Sequence, residues 1–192
     1  MAGGAQPGPG RPRGPAAGLP LAGCKLLELD EGAGFIKEAR VAVELGAAPG
    51  GWTQALRRAN PALRVVAVDL LPMEPVEGAA FVQGDFTDPA VQERLRELAG
   101  GRADLLLSDA APDLSGVADR DAARCEDLHR AVLECCAALG PRALLAKTFG
   151  GEPLEFLRAE ARRHFAKVQV KRPRTTRSRS QECYVLARES IE

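Results

Sequence analysis

The sequence predicts a doubly wound α/β sandwich, in which helices cover both faces of a mostly parallel β-sheet. Short apolar runs alternate with amphipathic stretches along most of the 192 residues, a rhythm that indicates repeated β-α-β units. The runs at 104–108 and 143–146 are almost continuously apolar, as expected for strands buried on both faces. A chain of this length is sufficient for one hydrophobic core, so we expect one α/β domain.

The predicted elements follow one another in a regular order. Seven strands are predicted at 41–45, 64–70, 80–82, 104–108, 143–148, 168–171 and 182–187. Amphipathic helices are predicted over about 52–59, 89–99, 119–139 and 153–165. Because no helix separates the last two strands, we expect them to form an antiparallel hairpin at one edge of the sheet.

The first 20 residues differ in composition from the rest. They are dominated by Gly, Pro and Ala, with Arg11 and Arg13 as the only charged side chains. A segment with so little apolar surface to bury is expected to be a disordered tail, followed by a domain at 21–192. Its prolines disfavour the helix of a transit peptide, and it lacks the apolar stretch of a secretory signal.

Composition argues against a membrane or metal protein. No apolar run approaches the ~18 residues that a membrane-spanning helix needs. The five cysteines form an odd set without a C-x-x-C spacing, and the two histidines have no metal-binding spacing, so we expect neither a disulfide framework nor a bound metal. We expect a cytoplasmic protein, with the mitochondrial matrix as the alternative.

Basic residues are concentrated near the end of the chain. The 26 basic and 26 acidic side chains balance, but residues 162–179 contain eight Lys or Arg and no Asp or Glu. Such a concentration of cations indicates a surface that binds a polyanion. An ordinary solvated helix end and strand is the alternative interpretation.

A glycine-rich turn follows the first predicted strand. It reads GAAPGG from Gly46 to Gly51 and leads into a helix at Trp52. Small residues at the carboxyl end of a strand let a ligand approach the backbone closely, although a tight turn without a ligand is the simpler alternative. The dinucleotide fingerprint G-x-G-x-x-G is absent, which disfavours a nicotinamide-dependent oxidoreductase.

Carboxylates end the next two strands. Asp69 stands where α/β nucleotide folds accept hydrogen bonds from ribose hydroxyls. Asp85 is placed to accept the exocyclic amine of an adenine, since Asp88 before Pro89 already fits the role of helix cap. Together with the glycine turn, these strand ends predict an adenosine site, although a strand-end Asp alone is more often a turn or cap residue.

Asp109 and Lys147 end the fourth and fifth strands. The carboxyl ends of parallel strands meet at one edge of a sheet, so both side chains are expected beside the adenosine site. A lysine at the end of an apolar strand costs desolvation unless it is paired. A structural ion pair is therefore the alternative to a catalytic role.

Five segments together resemble the FtsJ/RrmJ family of RNA methyltransferases, and the resemblance covers about 25–187. The segments are LGAAPGGW at 45–52, VDLLPM at 68–73, QGDF at 83–86, LSDAAP at 107–112 and SQECYV at 180–185. The resemblance implies a Rossmann-like class I methyltransferase fold, with a seven-stranded, mostly parallel sheet and an antiparallel edge hairpin. It also implies methyl transfer from S-adenosylmethionine to a ribose 2′-hydroxyl, with a uridine of large-subunit ribosomal RNA as the expected target.

The resemblance assigns residues to the site. The family's catalytic tetrad corresponds to Lys25, Asp109, Lys147 and Glu182. Its contacts with S-adenosylmethionine correspond to Gly50, Trp52, Asp69, Asp85 and Asp109. Lys147 is the implied base or hydroxyl-orienting group, and the carboxylates orient the lysines. The implied partner is ribosomal RNA within the large subunit, and we expect a monomer.

The segment before Lys25 departs from the family pattern. Family members carry basic and aromatic residues there, whereas this chain reads GLPLAGC at 18–24. This difference leaves open a second hypothesis, a catalytically impaired RNA-binding or ribosome-assembly protein that keeps the methyltransferase fold. The family also commonly has Asp at the position of Glu44.

Overall fold

The computed structural model describes residues 18–176 and 180–191, and a seven-stranded sheet forms its centre. The strands are β1 (Val41–Leu45), β2 (Arg64–Asp69), β3 (Ala79–Gln83), β4 (Leu105–Ser108), β5 (Ala143–Phe149), β6 (Phe165–Lys171) and β7 (Glu182–Ser190). Their order across the sheet is β3-β2-β1-β4-β5-β7-β6. β1 to β5 pair in parallel, and β7 runs antiparallel to both neighbours, which confirms the predicted fold class and edge hairpin.

Within the described residues, six helices flank the sheet. They are α1 (Leu21–Asp30), α2 (Phe35–Glu38), α3 (Gly51–Ala59), α4 (Pro89–Ala99), α5 (Ala118–Leu139) and α6 (Glu152–Ala161). α4, α5 and α6 cover one face, and the first three helices cover the other. α4 begins as predicted, because Asp88 Oδ1 accepts the backbone N–H of Ala90 at 2.8 Å and Pro89 fills the first position.

α1 was not predicted from the sequence. It buries Leu26 and Leu29 completely, but its first residue, Leu21, remains 63% exposed. An apolar residue on the solvent side weakens the 3.6-residue periodicity by which a helix is recognised. The helix therefore depends on tertiary contacts that the local pattern does not show.

The boundary between α6 and β6 also differs from the prediction. The helix ends at Ala161, and the strand begins at Phe165, although a helix was expected to 165 and a strand from 168. Phe165 pairs with Ser190 of β7 and is buried in the core, so a long-range contact decides its conformation. Several other β6 side chains are exposed because it is an edge strand, which weakens the period-2 signal.

The described part of the basic segment, 162–176, extends from one edge of the sheet to the other and is therefore less localised than the sequence suggested. Arg162 and Arg163 lie at the amino edge of the sheet, and β6 then carries the chain to Arg172 at the carboxyl edge. Seven strand residues span about 20 Å. Arg177 and Arg179 lie outside the described residues.

The structure describes only the last three residues of the predicted tail, and it bears on membrane-spanning helices and metal sites only within the described residues. Residues 1–17 of the predicted tail lie outside the described residues, and 18–20 lead directly into α1. Among the described helices, none combines the length and apolarity needed to cross a membrane. In the same part of the chain, no group of three or more His, Cys, Asp or Glu residues is arranged to hold a metal ion.

Candidate active site

The structure brings the four predicted tetrad residues together at the carboxyl edge of the sheet. Asp109 follows β4, Lys147 lies near the end of β5, and Glu182 begins β7. Lys147 Nζ lies 3.4 Å from Asp109 Oδ1 and 3.5 Å from Glu182 Oε2. Lys25 approaches from α1 and donates to Glu182 Oε1 at 2.6 Å. Two cations and two anions thus form one continuous network.

Partial burial strengthens the interactions within this network. The four side chains are between 12% and 24% exposed, so solvent screens their charges only in part. Burial raises the pKa of Asp109, and the charge of Lys147 only partly offsets this effect. Burial acts in the same direction on Glu182, but the hydrogen bond from Lys25 and the charge of Lys147 outweigh it and lower the pKa of Glu182. The environment therefore distinguishes the two carboxylates.

Tyr184 connects the two carboxylates and was not singled out from the sequence. Its hydroxyl lies 3.1 Å from Asp109 Oδ1 and 3.1 Å from Glu182 Oε1, and its buried ring lies 5.8 Å from that of Trp52. Burial and both carboxylates raise the pKa of Tyr184, so the hydroxyl remains a proton donor. The available sequence signal was its spacing of two residues from Glu182, which places both side chains on one face of β7.

His129 supports the backbone at Lys147. Its Nε2 lies 3.2 Å from the Lys147 carbonyl oxygen, and burial lowers the pKa of the imidazole to about 4. The ring is therefore neutral near pH 7, with Nε2–H as the donor. No local pattern could reveal this contact, because α5 and β5 meet only in the folded chain.

The glycine turn after β1 has the geometry of a ligand-binding loop. Gly46 and Gly50 have φ values of 75° and 101°, which favour glycine. A Cβ at Gly46 would lie 2.8 Å from the backbone of Ala110, so the two loops meet closely. No side chain caps the start of α3, which leaves first-turn N–H groups for a ligand.

Trp52 faces away from this loop. Its side chain is 2% exposed and packs in the core beside Tyr184. Its backbone N–H belongs to the first turn of α3. Any contact of Trp52 with a cofactor at the loop is therefore made by the backbone, and the indole serves to anchor the helix.

Asp69 and Asp85 lie at the carboxyl edge on the other side of the glycine turn. Asp69 Oδ2 accepts the N–H of Ala48 at 2.8 Å, and its Oδ1 accepts that of Leu71 at 2.9 Å. These bonds fix the half-buried carboxylate next to the loop. Asp85 is exposed, and its Oδ1 accepts hydrogen bonds from the backbone and hydroxyl of Thr87. Asp85 therefore closes a turn in addition to any role in binding.

Glu44 lies buried beneath the glycine turn. Its Oε2 accepts a 2.6 Å hydrogen bond from Thr53 Oγ1, whereas Oε1 is buried without a hydrogen-bond partner. Burial raises the pKa of Glu44 to about 8, and the charges of Asp109 and Asp69 add to this effect. A buried acceptor and two neighbouring carboxylates make the electrostatic environment suitable for a positively charged ligand.

Known proteins share this fold and these sequence features. The family model described as FtsJ-like methyltransferase matches residues 21–190. A Methanoculleus marisnigri protein named ribosomal RNA large subunit methyltransferase E is 44% identical over 85% of this chain and 81% of its own length. A relative with the same name from an Azoarcus species is 46% identical over 84% of this chain and 81% of its own length.

A solved structure gives the same result for the fold. The crystal structure of a Plasmodium falciparum protein described as a ribosomal RNA methyltransferase superposes with a TM-score of 0.77. The superposition covers 94% of this chain and 98% of the Plasmodium falciparum chain, and the two sequences are 21% identical. The resemblance inferred from the sequence is thereby confirmed, and the chain belongs to the FtsJ-like methyltransferase family.

Proposed function

We propose that this chain transfers a methyl group from S-adenosylmethionine to a ribose 2′-hydroxyl of large-subunit ribosomal RNA, with a uridine as the target. The observation that carries the proposal is the network of two lysines and two carboxylates beside the glycine turn. The names of the Methanoculleus and Azoarcus relatives support the choice of RNA. Methyltransferases of this fold generally use S-adenosylmethionine, which supplies an electrophilic methyl group on a positively charged sulfur.

The carboxyl edge offers complementary groups for each part of that cofactor. The backbone at Gly50 and Trp52, in the uncapped first turn of α3, is suited to its carboxylate. Asp69 is suited to the ribose hydroxyls and Asp85 to the adenine amine. Asp109 lies between this region and Lys147, so it can contact the cofactor while orienting the lysine.

We assign to Lys147 the role of orienting the ribose 2′-hydroxyl of the RNA. Asp109 and Glu182 hold its Nζ between them, so its direction is fixed before substrate arrives. A hydroxyl next to this nitrogen is oriented for in-line attack, in which the new carbon–oxygen bond forms as the carbon–sulfur bond of the cofactor breaks. As an ammonium Lys147 donates a hydrogen bond that orients the hydroxyl, and as a neutral amine it takes up the proton that the hydroxyl releases. Lys25 acts indirectly, through Glu182, because its side chain holds the carboxylate of that residue.

The second hypothesis, an impaired RNA-binding or assembly protein, depended on the unusual segment before Lys25. The 2.6 Å contact between Lys25 and Glu182 shows that this segment does not displace the lysine from the network. The geometry therefore supports an active enzyme. We place it, as a monomer, in the cytoplasm, with the mitochondrial matrix as the alternative. Size-exclusion chromatography coupled to light scattering tests the oligomeric state.

Methyl transfer tests the function directly. The protein is incubated with methyl-labelled S-adenosylmethionine and either naked ribosomal RNA or isolated large subunits, and 2′-O-methylation is then mapped. The wild type is expected to label one position. Lys147→Ala should abolish labelling while cofactor and RNA affinities change by no more than a few fold, because the lysine acts in the transition state.

Lys37→Ala is the matched control, since Lys37 is an exposed lysine of α2 on a different part of the molecule. It should label RNA like the wild type, and thermal melting should show that both variants fold. Absence of labelling by the wild type on both RNA substrates would contradict the proposal and favour the impaired binder.

A further inference from the structure

A mostly apolar pocket of about 570 Å³ lies at the carboxyl edge next to the tetrad. Its walls are the amino-terminal half of α5, the loop before that helix, the turn between β5 and α6, and the residue before β7. Leu114, Phe149 and Pro153 supply apolar surface, and Gln181 supplies an amide. None of these side chains belongs to the tetrad or to the proposed cofactor site.

Two residues that line the pocket lie close in sequence to tetrad residues. Phe149 lies two residues beyond Lys147 on the same face of β5, a separation of about 7 Å. It pairs with Glu182 in the β5–β7 register. The residue before Glu182 is Gln181, whose carbonyl accepts the N–H of Gly150 at 3.0 Å. Lys147 faces the side of the sheet covered by α1 to α3, whereas α5 and α6 cover the other side. A molecule held at Lys147 therefore reaches the pocket over the carboxyl edge of the sheet, past the end of β5.

We propose that this pocket receives the base of the nucleotide whose 2′-hydroxyl is methylated, an inference that rests on the proposed function. The base and the 2′-hydroxyl are attached to neighbouring ribose carbons, so the base must lie close to Lys147. The proposed cofactor residues occupy the flank formed by β1, β2 and β3. The part of the carboxyl edge near β5 is therefore left for the base, and the pocket lies in that part.

The lining fits a base better than any other part of an RNA. Apolar and aromatic side chains suit the flat face of a base, and the amide of Gln181 offers a donor and an acceptor to its polar edge. Asp119, Asp121 and Glu152 also line the pocket, so their negative charges disfavour phosphate groups. The target nucleotide is consequently turned out of its stack, with its backbone outside.

Two variants test whether the pocket is required. Leu114→Ala and Phe149→Ala should each slow single-turnover methylation about tenfold at saturating cofactor, the size expected for a lost stacking contact. The RNA is the shortest fragment of large-subunit ribosomal RNA that the wild type methylates. Cofactor affinity should not change, because neither residue belongs to that site, and thermal melting should show that both variants fold.

Ile191→Ala is the matched control for Leu114→Ala. Ile191 is 55% exposed and Leu114 is 54% exposed, but Ile191 lies at the amino edge, where its N–H bonds to the His164 carbonyl. The control should retain the wild-type rate. Wild-type rates in both folded pocket variants would overturn the proposal and leave the pocket to another partner, such as a protein.

A modified RNA tests which part of the substrate occupies the pocket. The same fragment is synthesised with an abasic ribose at the methylated position. The wild type should methylate it about tenfold more slowly, and the pocket variants should cause no further loss on this RNA. A full rate on abasic RNA, or equal losses by the variants on both RNAs, would exclude the base as occupant. If the wild type methylates no RNA at all, the proposed function itself fails.

Discussion

Glu182 receives a lysine at each of its carboxylate oxygens. Lys25 Nζ lies 2.6 Å from Oε1, and Lys147 Nζ lies 3.5 Å from Oε2. Lys147 also contacts Asp109, whereas Lys25 contacts only Glu182 among the tetrad carboxylates of the described structure. We therefore propose different roles for the two lysines: Lys147 orients the reacting hydroxyl, and Lys25 maintains the charge and position of Glu182.

Removal of Lys25 should change the pH dependence of methyl transfer. The hydrogen bond from Lys25 helps to lower the pKa of Glu182, so Lys25→Ala should raise that pKa toward its ordinary value. If the reaction requires ionised Glu182, the acid limb of the kcat profile should move to higher pH. The rate at high pH should fall less than in Lys147→Ala.

Single-turnover rates between pH 5 and 9 measure this shift. Lys25→Arg should restore part of the wild-type profile, because it returns a donor and a charge to Glu182. A profile in Lys25→Ala that coincides with that of the wild type would show that Lys25 does not act through Glu182.

Glu44 should make folding stability depend on pH. Burial raises its folded pKa from 4.5 to about 8, so the folded state keeps a proton that the unfolded chain loses above pH 4.5. Its contribution is most favourable below pH 4.5, decreases as pH rises through this window, and is constant above about pH 8. The limiting slope for one proton is about 1.4 kcal/mol per pH unit.

Glu44→Gln removes this titration while keeping an acceptor for Thr53. The variant should therefore gain stability relative to the wild type as pH rises from 5 to 8, which urea unfolding at several pH values can measure. The same substitution at exposed Glu74 is the control and should show no such trend. A constant difference between Glu44→Gln and the wild type across this range would show that Glu44 is ionised in the folded protein.

Helix α1 reaches the candidate active site through close packing on α3. Gly23 is buried, and a Cβ at this position would lie only 2.6 Å from the carbonyl oxygen of Gly51. A Cβ on Gly51 would in turn lie 3.2 Å from Ala22 Cβ. Small residues on both helices let their backbones meet, and this approach places Lys25 beside Glu182.

Gly23→Ala should therefore impair catalysis from a distance. Alanine favours the helix by ~1 kcal/mol, but the clash with a backbone atom costs about 1–3 kcal/mol and displaces α1. We expect a lower melting temperature and slower transfer. Leu21→Ala, an exposed position on the same helix, should retain the wild-type rate. An unchanged transfer rate and melting temperature in Gly23→Ala would contradict this prediction, because they would show that the two helices accommodate the added Cβ.

The elements that the sequence predicted are those with a local signal. The buried strands were found because β4 and the centre of β5 are apolar on both faces, and the strand ends located Asp109 and Lys147. α1 was missed because its position depends on Gly23 meeting Gly51, which no local pattern encodes. His129 was missed for the same reason, since it contacts Lys147 only after α5 and β5 have packed.

The tetrad itself came from the family resemblance. The residues alone indicated a pair formed by Asp109 and Lys147, with a structural ion pair as the alternative. Lys25 and Glu182 are 157 positions apart, and neither has a local signal of chemistry. Physical reasoning from one sequence could therefore locate the edge of the sheet but not the complete network, because two of its members are brought there by α1 and β7.

In the molecule as a whole, the two edges of the sheet carry separate groups of basic residues. The carboxyl edge holds the tetrad, the pocket and the arginines that follow β6, Arg172 and Arg174. Lys171 is partly committed there, because its Nζ donates to the Leu29 carbonyl at 3.0 Å. The amino edge holds Arg162 and the Arg163–Glu160 ion pair. An RNA bound at the tetrad should contact the first group and not the second.

Salt dependence of RNA binding separates these two groups. Each phosphate contact contributes about 0.7–0.9 to the slope of log affinity against log salt concentration, because binding releases counterions. The double variant Arg172→Ser with Arg174→Ser should flatten this slope by up to about two contacts and weaken binding at low salt. Arg174 also pairs with exposed Glu31 at 2.9 Å, but an exposed pair of this kind is weak enough to exchange for a phosphate.

The double variant Arg162→Ser with Arg163→Ser is the matched control. It removes the same number of arginines, so it changes the net charge of the chain by the same amount, but it does so at the amino edge. Its slope should remain close to that of the wild type if RNA follows the carboxyl edge. Equal flattening in the two double variants would indicate that RNA responds to the overall charge or wraps both edges, and flattening in the control alone would place the RNA path at the amino edge.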